Sequence, residues 1–155
     1  TTALDVTVQA QILDLLAELQ AERGTAIVLI SHDFGVVAGL ADEIAVMYAG
    51  RVVEHGSRAD VLATPHHPYT RGLLGSIPRL DAPRGDPLTP IAGAPPNLVD
   101  EIPGCAFQPR CSIGSDICLS RTPTLAETAP GHRAACIFGP VEQARRTAAA
   151  AGAVA

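Results

Sequence analysis

Val8, Ile12, Leu15, Leu16 and Leu19 recur at steps of four, three, one and three residues, the repeat of one helical face. Gln11, Asp14, Glu18 and Glu22 fall on the opposite side, so the spacing predicts an amphipathic helix. Asp5 is suited to cap its start, where free backbone N–H groups accept a carboxylate, and Gly24 is placed to end it. The pattern then changes. Thr25 to Ile30 is a mostly apolar run without the alternation of a half-solvated strand, which predicts a strand buried on both faces, as in a parallel sheet covered by helices. It ends at Ser31, His32 and Asp33, and a second helical pattern follows through Phe34, Val36, Val37 and Leu40. Helix, buried strand and helix make half of a βαβ unit, so the expected class is α/β with parallel strands and helices.

Further on, Glu43 to Tyr48 and Arg51 to His55 are strand patterns that flank Ala49-Gly50, a tight-turn pair, and predict a structural hairpin. Ser57 is placed to cap a short helix ending at Ala63. None of the 13 prolines occurs before Pro65. The expected organisation is therefore regular α/β structure over 1–64, short helices and turns on an irregular scaffold over 65–140, and an alanine-rich tail over 141–155. In that tail a short helical turn at Val141–Arg146 gives way to a frayed end. With three Phe, two Tyr and no Trp, the core is expected to rest on Val, Ile, Leu and Ala.

A formal charge of −5 makes the chain a poor electrostatic match for nucleic acid. No segment approaches the roughly 18 to 20 apolar residues of a membrane span, and the start has no signal-peptide pattern, so a cytoplasmic location is expected.

Two groups of residues carry candidate chemistry. His32 stands at the carboxyl end of the predicted strand, where open α/β sheets place their ligands, and imidazole is suited to a phosphate or water near neutral pH. The second group is Cys105, Cys111, Cys118 and Cys136, separated by five, six and seventeen residues. This is not the paired CxxC spacing of zinc ribbons. Disulfides, ordinary buried thiols and a bound metal are the competing readings. A reducing cytoplasm disfavours the first, and a turn-rich setting offers little core for the second, so a metal holding the segment together explains it better. Arg110 and Arg133 adjoin cysteines and would offset thiolate charge. His132, four residues before Cys136, reads as a supporting or surface residue; His55, His66 and His67 could be metal ligands, but the adjacent His66 and His67 before a proline read as loop hydrogen-bonding residues in preference.

The segment Thr1 to Gln11, with Ala3-Leu4-Asp5, resembles the D-loop region of ABC-transporter ATPases, and Leu29-Ile30-Ser31-His32-Asp33 resembles their switch-histidine motif. His67-Pro68-Tyr69-Thr70-Arg71-Gly72-Leu73-Leu74-Gly75-Ser76-Ile77-Pro78 and the cysteine-bearing tail resemble the oligopeptide and dipeptide importer branch, so the resemblance covers roughly residues 1 to 140. It implies a C-terminal fragment, because the P-loop, Q-loop, signature motif and Walker B residues would all precede Thr1. By that resemblance, the parent subunit hydrolyses ATP with Mg to power peptide import at the cytoplasmic face of the membrane. Its implied partners are a second ATPase subunit, transmembrane permease subunits and, indirectly, an extracytoplasmic peptide-binding protein. His32 would contact the γ-phosphate and orient the attacking water, and Asp5 would touch the second ATPase subunit. The four cysteines would hold an iron-sulfur cluster of four irons, as in some members of the branch, with zinc as the alternative. A metal-stabilised interaction or regulatory module without nucleotide chemistry is the rival functional reading.

Overall fold

The computed structural model describes residues 3–77, 90–99 and 101–152, with side chains described from residue 8 onward. The chain divides into two compact units, Thr1–Asp42 and Glu43–Ala155.

In the first unit, α1 spans Ala3–Arg23. It begins early enough that Asp5 lies inside its first turn, so the expected cap position is not where Asp5 sits. Gly24 closes the helix as its sequence suggests, with φ 62° and its N–H donated to the Gln20 carbonyl (2.9 Å). Thr25 to Ile30 forms no strand, which corrects the expectation of a buried parallel strand. A strand is a paired object whose backbone groups need a neighbour, and among the described residues none lies alongside this run. Its apolar side chains stay in the open, Val28 at 90% and Ile30 at 94% exposure. Together with Val8, Ile12 and Leu16 of α1 and Val36 of the next helix, Leu29 and Ile30 line an open groove of about 400 Å³. The helix α2, Phe34–Leu40, forms where its pattern predicts.

The second unit is built on antiparallel pairing throughout, in place of the parallel sheet expected from the sequence. Strands β1 (Glu43–Tyr48), β2 (Arg51–Ser57), β3 (Ala126–Ala129) and β4 (His132–Ala134) form one sheet in the order β1-β2-β4-β3. Ala49 and Gly50 both have positive φ, 49° and 74°, the signature of the two-residue turn whose twist matches the strands it joins. Ser57 caps α3 (Arg58–Ala63), accepting from the Asp60 N–H. Helix α4 (Pro68–Gly75) starts at a proline, tolerated there because its missing N–H has no helical partner. Across the division at Pro65 suggested by proline content, β2 pairs with β4 in register Glu54 to Ala134, and Ala135 donates its N–H to the Val53 carbonyl (2.8 Å).

The core alternates inward along β1 as Ile44, Val46 and Tyr48, and adds Val53, Val61, Phe107, Ile113, Ala134 and Ala135. The few aromatics are concentrated here. Tyr48 packs 4.6 Å from Tyr69 and 5.3 Å from Phe107 between ring centres, so this core rests on aromatic rings as well as the expected aliphatic residues. A 3-10 turn at Gln108–Arg110 and the short helix α5 (Ile117–Ser120) follow. The last helix, α6, spans Pro140–Gly152 and carries the alanine run that was expected to fray, consistent with alanine's high helix propensity.

Candidate functional site

His32 occupies an exposed turn directly before α2. The turn is locally determined. Ser31 Oγ accepts the Asp33 N–H (3.0 Å), and Asp33 Oδ1 accepts the N–H of Gly35 (2.8 Å) and Val36 (3.4 Å), capping the helix. Such a turn holds His32 beside a helix start with its ring open to solvent. Ala3, Leu4 and Asp5 lie in the first turn of α1, and their side chains fall outside the described ones.

The four cysteines come from four separate pieces of backbone. Cys105 follows Gly104 and donates its N–H to the Cys118 carbonyl (2.8 Å). Cys111 closes the 3-10 turn with its N–H on the Gln108 carbonyl (3.1 Å), Cys118 lies in α5, and Cys136 follows the end of β4. All four border one small cavity of about 20 Å³, shared with His67, Phe107 and Phe138. All are free thiols.

Backbone amides serve these sulfurs. Phe107 and Gln108 hydrogen bond to Cys105, Ile113 to Cys111 and Phe138 to Cys136, which favours the thiolate form at each. Burial outweighs them: it raises the Cys105 and Cys136 thiols and pushes Cys111 up to about 11. Four soft sulfur donors around an enclosed space suit zinc or an iron-sulfur centre. As they stand, however, among the described residues no group of three or more His, Cys, Asp or Glu is arranged to hold a metal ion. The expected ligands are brought to one cavity without being drawn to the spacing of a bound ion.

Beside this cavity runs a buried polar network invisible in the sequence pattern. Glu54, fully buried on β2, accepts the backbone N–H of His66 and that of His67 (3.0 Å), and its Oε1 lies 2.7 Å from His132 Nε2. His66 stacks on His132 with ring centres 4.1 Å apart, and its Nδ1 is 2.7 Å from Thr128 Oγ1. His132 is thus a buried partner of Glu54, which excludes the surface alternative of its expected supporting or surface role. His67 Nδ1 accepts the Tyr69 N–H (3.1 Å) while the Ala135 backbone bonds to the ring, and burial lowers its pKa to about 4. His66 and His67 are hydrogen-bonding loop residues, as expected. His55 pairs with Glu43 at 3.3 Å on the exposed side of the hairpin.

Glu54 escaped sequence reasoning because a register shift between Val46 and Met47 breaks the alternation, so Val53 and Glu54 are both buried. The expected cations are also differently used. Arg110 bonds to the carbonyls of Ala92 (3.0 Å) and Ile91 (3.2 Å) and to the Tyr48 hydroxyl (3.4 Å), bracing the loop before it, while Arg133 is exposed.

Residues 53–118 match the family described as oligopeptide/dipeptide transporter, C-terminal region. The chain is 56% identical over 137 residues to the oligopeptide transport ATP-binding protein OppD of Mycobacterium tuberculosis, over 88% of this chain and 22% of that protein. It is 54% identical over 143 residues to the OppD of Escherichia coli, over 92% of this chain and 42% of the relative. It is 55% identical over 118 residues to the dipeptide transport ATP-binding protein DppD of Bacillus subtilis, over 76% of this chain and 35% of the relative. The chain thus spans less than half the length of each of these relatives, and over most of its own length it is similar to the ATP-binding proteins of oligopeptide and dipeptide transport, with the oligopeptide/dipeptide transporter C-terminal region matched at residues 53–118.

Proposed function

We propose that this chain is part of an ATP-hydrolysing subunit that powers import of oligopeptides or dipeptides, peripheral to the cytoplasmic face of the membrane. The observation that carries this is the order of its motifs: Ala3-Leu4-Asp5, then Ser31-His32-Asp33, then the His67-Pro68-Tyr69-Thr70 segment within the matched transporter region. No helix among the described residues is long and apolar enough to cross a membrane, so permease subunits would supply the path. The remaining partners would be a second ATPase subunit and an extracytoplasmic peptide-binding protein. ATP and Mg would be bound mainly by P-loop and Walker segments outside this sequence, with His32 positioning the attacking water at the γ-phosphate and Asp5 meeting the second ATPase subunit. The open apolar groove and the uncovered Thr25 to Ile30 run support a parallel sheet completed by strands from outside this chain.

Cys105, Cys111, Cys118 and Cys136 would hold a metal centre, an iron-sulfur cluster by preference and zinc as the alternative. A cluster supplies a one-electron redox centre, and either metal braces a segment poor in core. The test of the transport reading is ATP-driven uptake of labelled peptides by the assembled transporter. His32→Ala should lower ATP hydrolysis roughly a hundredfold with ATP affinity retained. Undiminished hydrolysis would remove His32 from the chemistry, and ATP-independent uptake would refute the function.

A further inference from the structure

Gln143 is the one buried residue of the thirteen-residue helix α6, so the seat of that helix rests chiefly on a single side-chain amide. Gln143 Nε2 donates to the carbonyls of His66 (2.7 Å) and Phe138 (2.8 Å). Its Oε1 accepts from Arg71 Nη2 (2.6 Å), which also donates to the Pro65 carbonyl (3.2 Å). Both ends of the amide are thereby tied to the Pro65-His66 backbone, one directly and one through Arg71. The position of α6 then depends on what holds His66.

The hydrogen bonds of the His66 ring fix its tautomer. The Thr128 hydroxyl has one proton and gives it to the His132 carbonyl (3.1 Å), so at 2.7 Å it accepts from His66 Nδ1, which carries a hydrogen. A second proton can enter only at Nε2, and it makes the ring a cation. That cation would lie face to face with His132, ring centres 4.1 Å apart and planes 8° from parallel, while His132 already occupies the Glu54 carboxylate at 2.7 Å. Glu54 also accepts the backbone N–H groups of His66 and His67, so three donors engage it. Around His66 stand Glu54 on β2, Asp60 on α3, Arg71 on α4 and His132 on β4, while β3 and α6 contribute the neutral Thr128 and Gln143. Burial is the largest influence on His66 and lowers its pKa; His132 and Arg71 also lower it, and Glu54 and Asp60 act the other way.

We propose that His66 is a proton-operated latch for the C-terminal helix. Neutral, it stays in the stack and its carbonyl seats Gln143. Protonated at Nε2 from solvent, it leaves the stack, carries its backbone with it and frees α6. His66 is only half-buried, which leaves it open to solvent protons. A freed helix of this length is marginal in water, so release exposes its amides. The latch rests on neither the transport reading nor the metal site.

The test follows amide hydrogen exchange over residues 140–152 of the full-length subunit at pH 7.5 and 5.5, corrected for the intrinsic pH dependence of exchange. With the folded His66 below its ordinary value of 6.5, opening of α6 should rise toward acid, to a ceiling of about tenfold at pH 5.5 for one proton. The increase should be insensitive to low urea, because undocking exposes little surface, whereas exchange of β1 should follow urea with the slope of global unfolding. His66→Asn keeps an N–H donor near the Nδ1 position and takes up no proton, so its α6 should be equally protected at both pH values. Equal opening at the two pH values in the parent, or the same acid increase in His66→Asn, would overturn the latch. An acid increase in α6 as steep in urea as that of β1 would be global unfolding and would overturn it too. Should His66→Asn fail to fold, Gln143→Ala cuts the latch at its other end: α6 should then exchange fast at both pH values, and protection like the parent's would overturn the proposal.

Discussion

Replacing Gly104 with alanine tests the packing that brings Cys105 against Cys118. Gly104 has φ +72°, and a Cβ built there would lie 2.4 Å from the carbonyl oxygens of both Cys118 and Leu119 and 2.5 Å from the Leu119 carbonyl carbon. These are backbone atoms of α5 and its end, so no side chain can rotate away, and the two segments must part by more than half an ångström. Left-handed backbone costs an L-residue roughly 1–2 kcal/mol. Parting the segments also weakens the Cys105 N–H bond to the Cys118 carbonyl, worth about 1 kcal/mol. Gly104→Ala should therefore destabilise the second unit by about 3 kcal/mol. Gly131 is the internal control, with the same φ of +72° and nothing within 4 Å of its built Cβ. Gly131→Ala should cost only the conformational share, about 1 kcal/mol. Denaturant unfolding of both variants gives the difference, and alkylation of Cys105 and Cys118 should accelerate only in Gly104→Ala. Equal losses in the two variants would refute the close approach of the backbones.

Glu54→Gln should cost about 3 kcal/mol in denaturant unfolding, because it removes the charge facing His132 in a buried site while leaving the shape intact; a loss below about 0.5 kcal/mol, typical of surface positions, would show that the network contributes little. Burial, then the neighbouring His132, lowers the His66 pKa below 6.5, so folding favours its neutral form. That contribution is complete above the unfolded value and is lost as pH falls below about 6.5. Stability measured between pH 7.5 and 5.5 should therefore fall toward acid, and His66→Asn should flatten the slope; an unchanged slope would count against it.

What the sequence conveyed well was local. Gly24, Ala49-Gly50 and the Ser57 cap each act within four residues of themselves, and all formed where their chemistry required. The buried network is long-range: Glu54 meets His132 across 78 residues and Arg71 meets Gln143 across 72, and no periodicity encodes such a pairing. The cysteines were recognisable as a group because thiols are chemically distinctive, whereas a glutamine or a glutamate becomes informative only once burial is known. Thr25 to Ile30 shows the opposite failure. Its apolar pattern is that of a buried strand, yet among the described residues nothing pairs with it and Val28 and Ile30 are exposed, because a strand also needs a neighbour that the pattern itself does not supply.

Metal content tests most directly whether the four cysteines form one site. Protein purified without oxygen should be brown, with about four irons and matching sulfide per chain, and single Cys→Ser changes at Cys105, Cys111, Cys118 or Cys136 should each abolish the colour. One zinc in a colourless protein would keep the four ligands and remove the redox centre. Metal-free protein with four independently reactive thiols would contradict the site altogether.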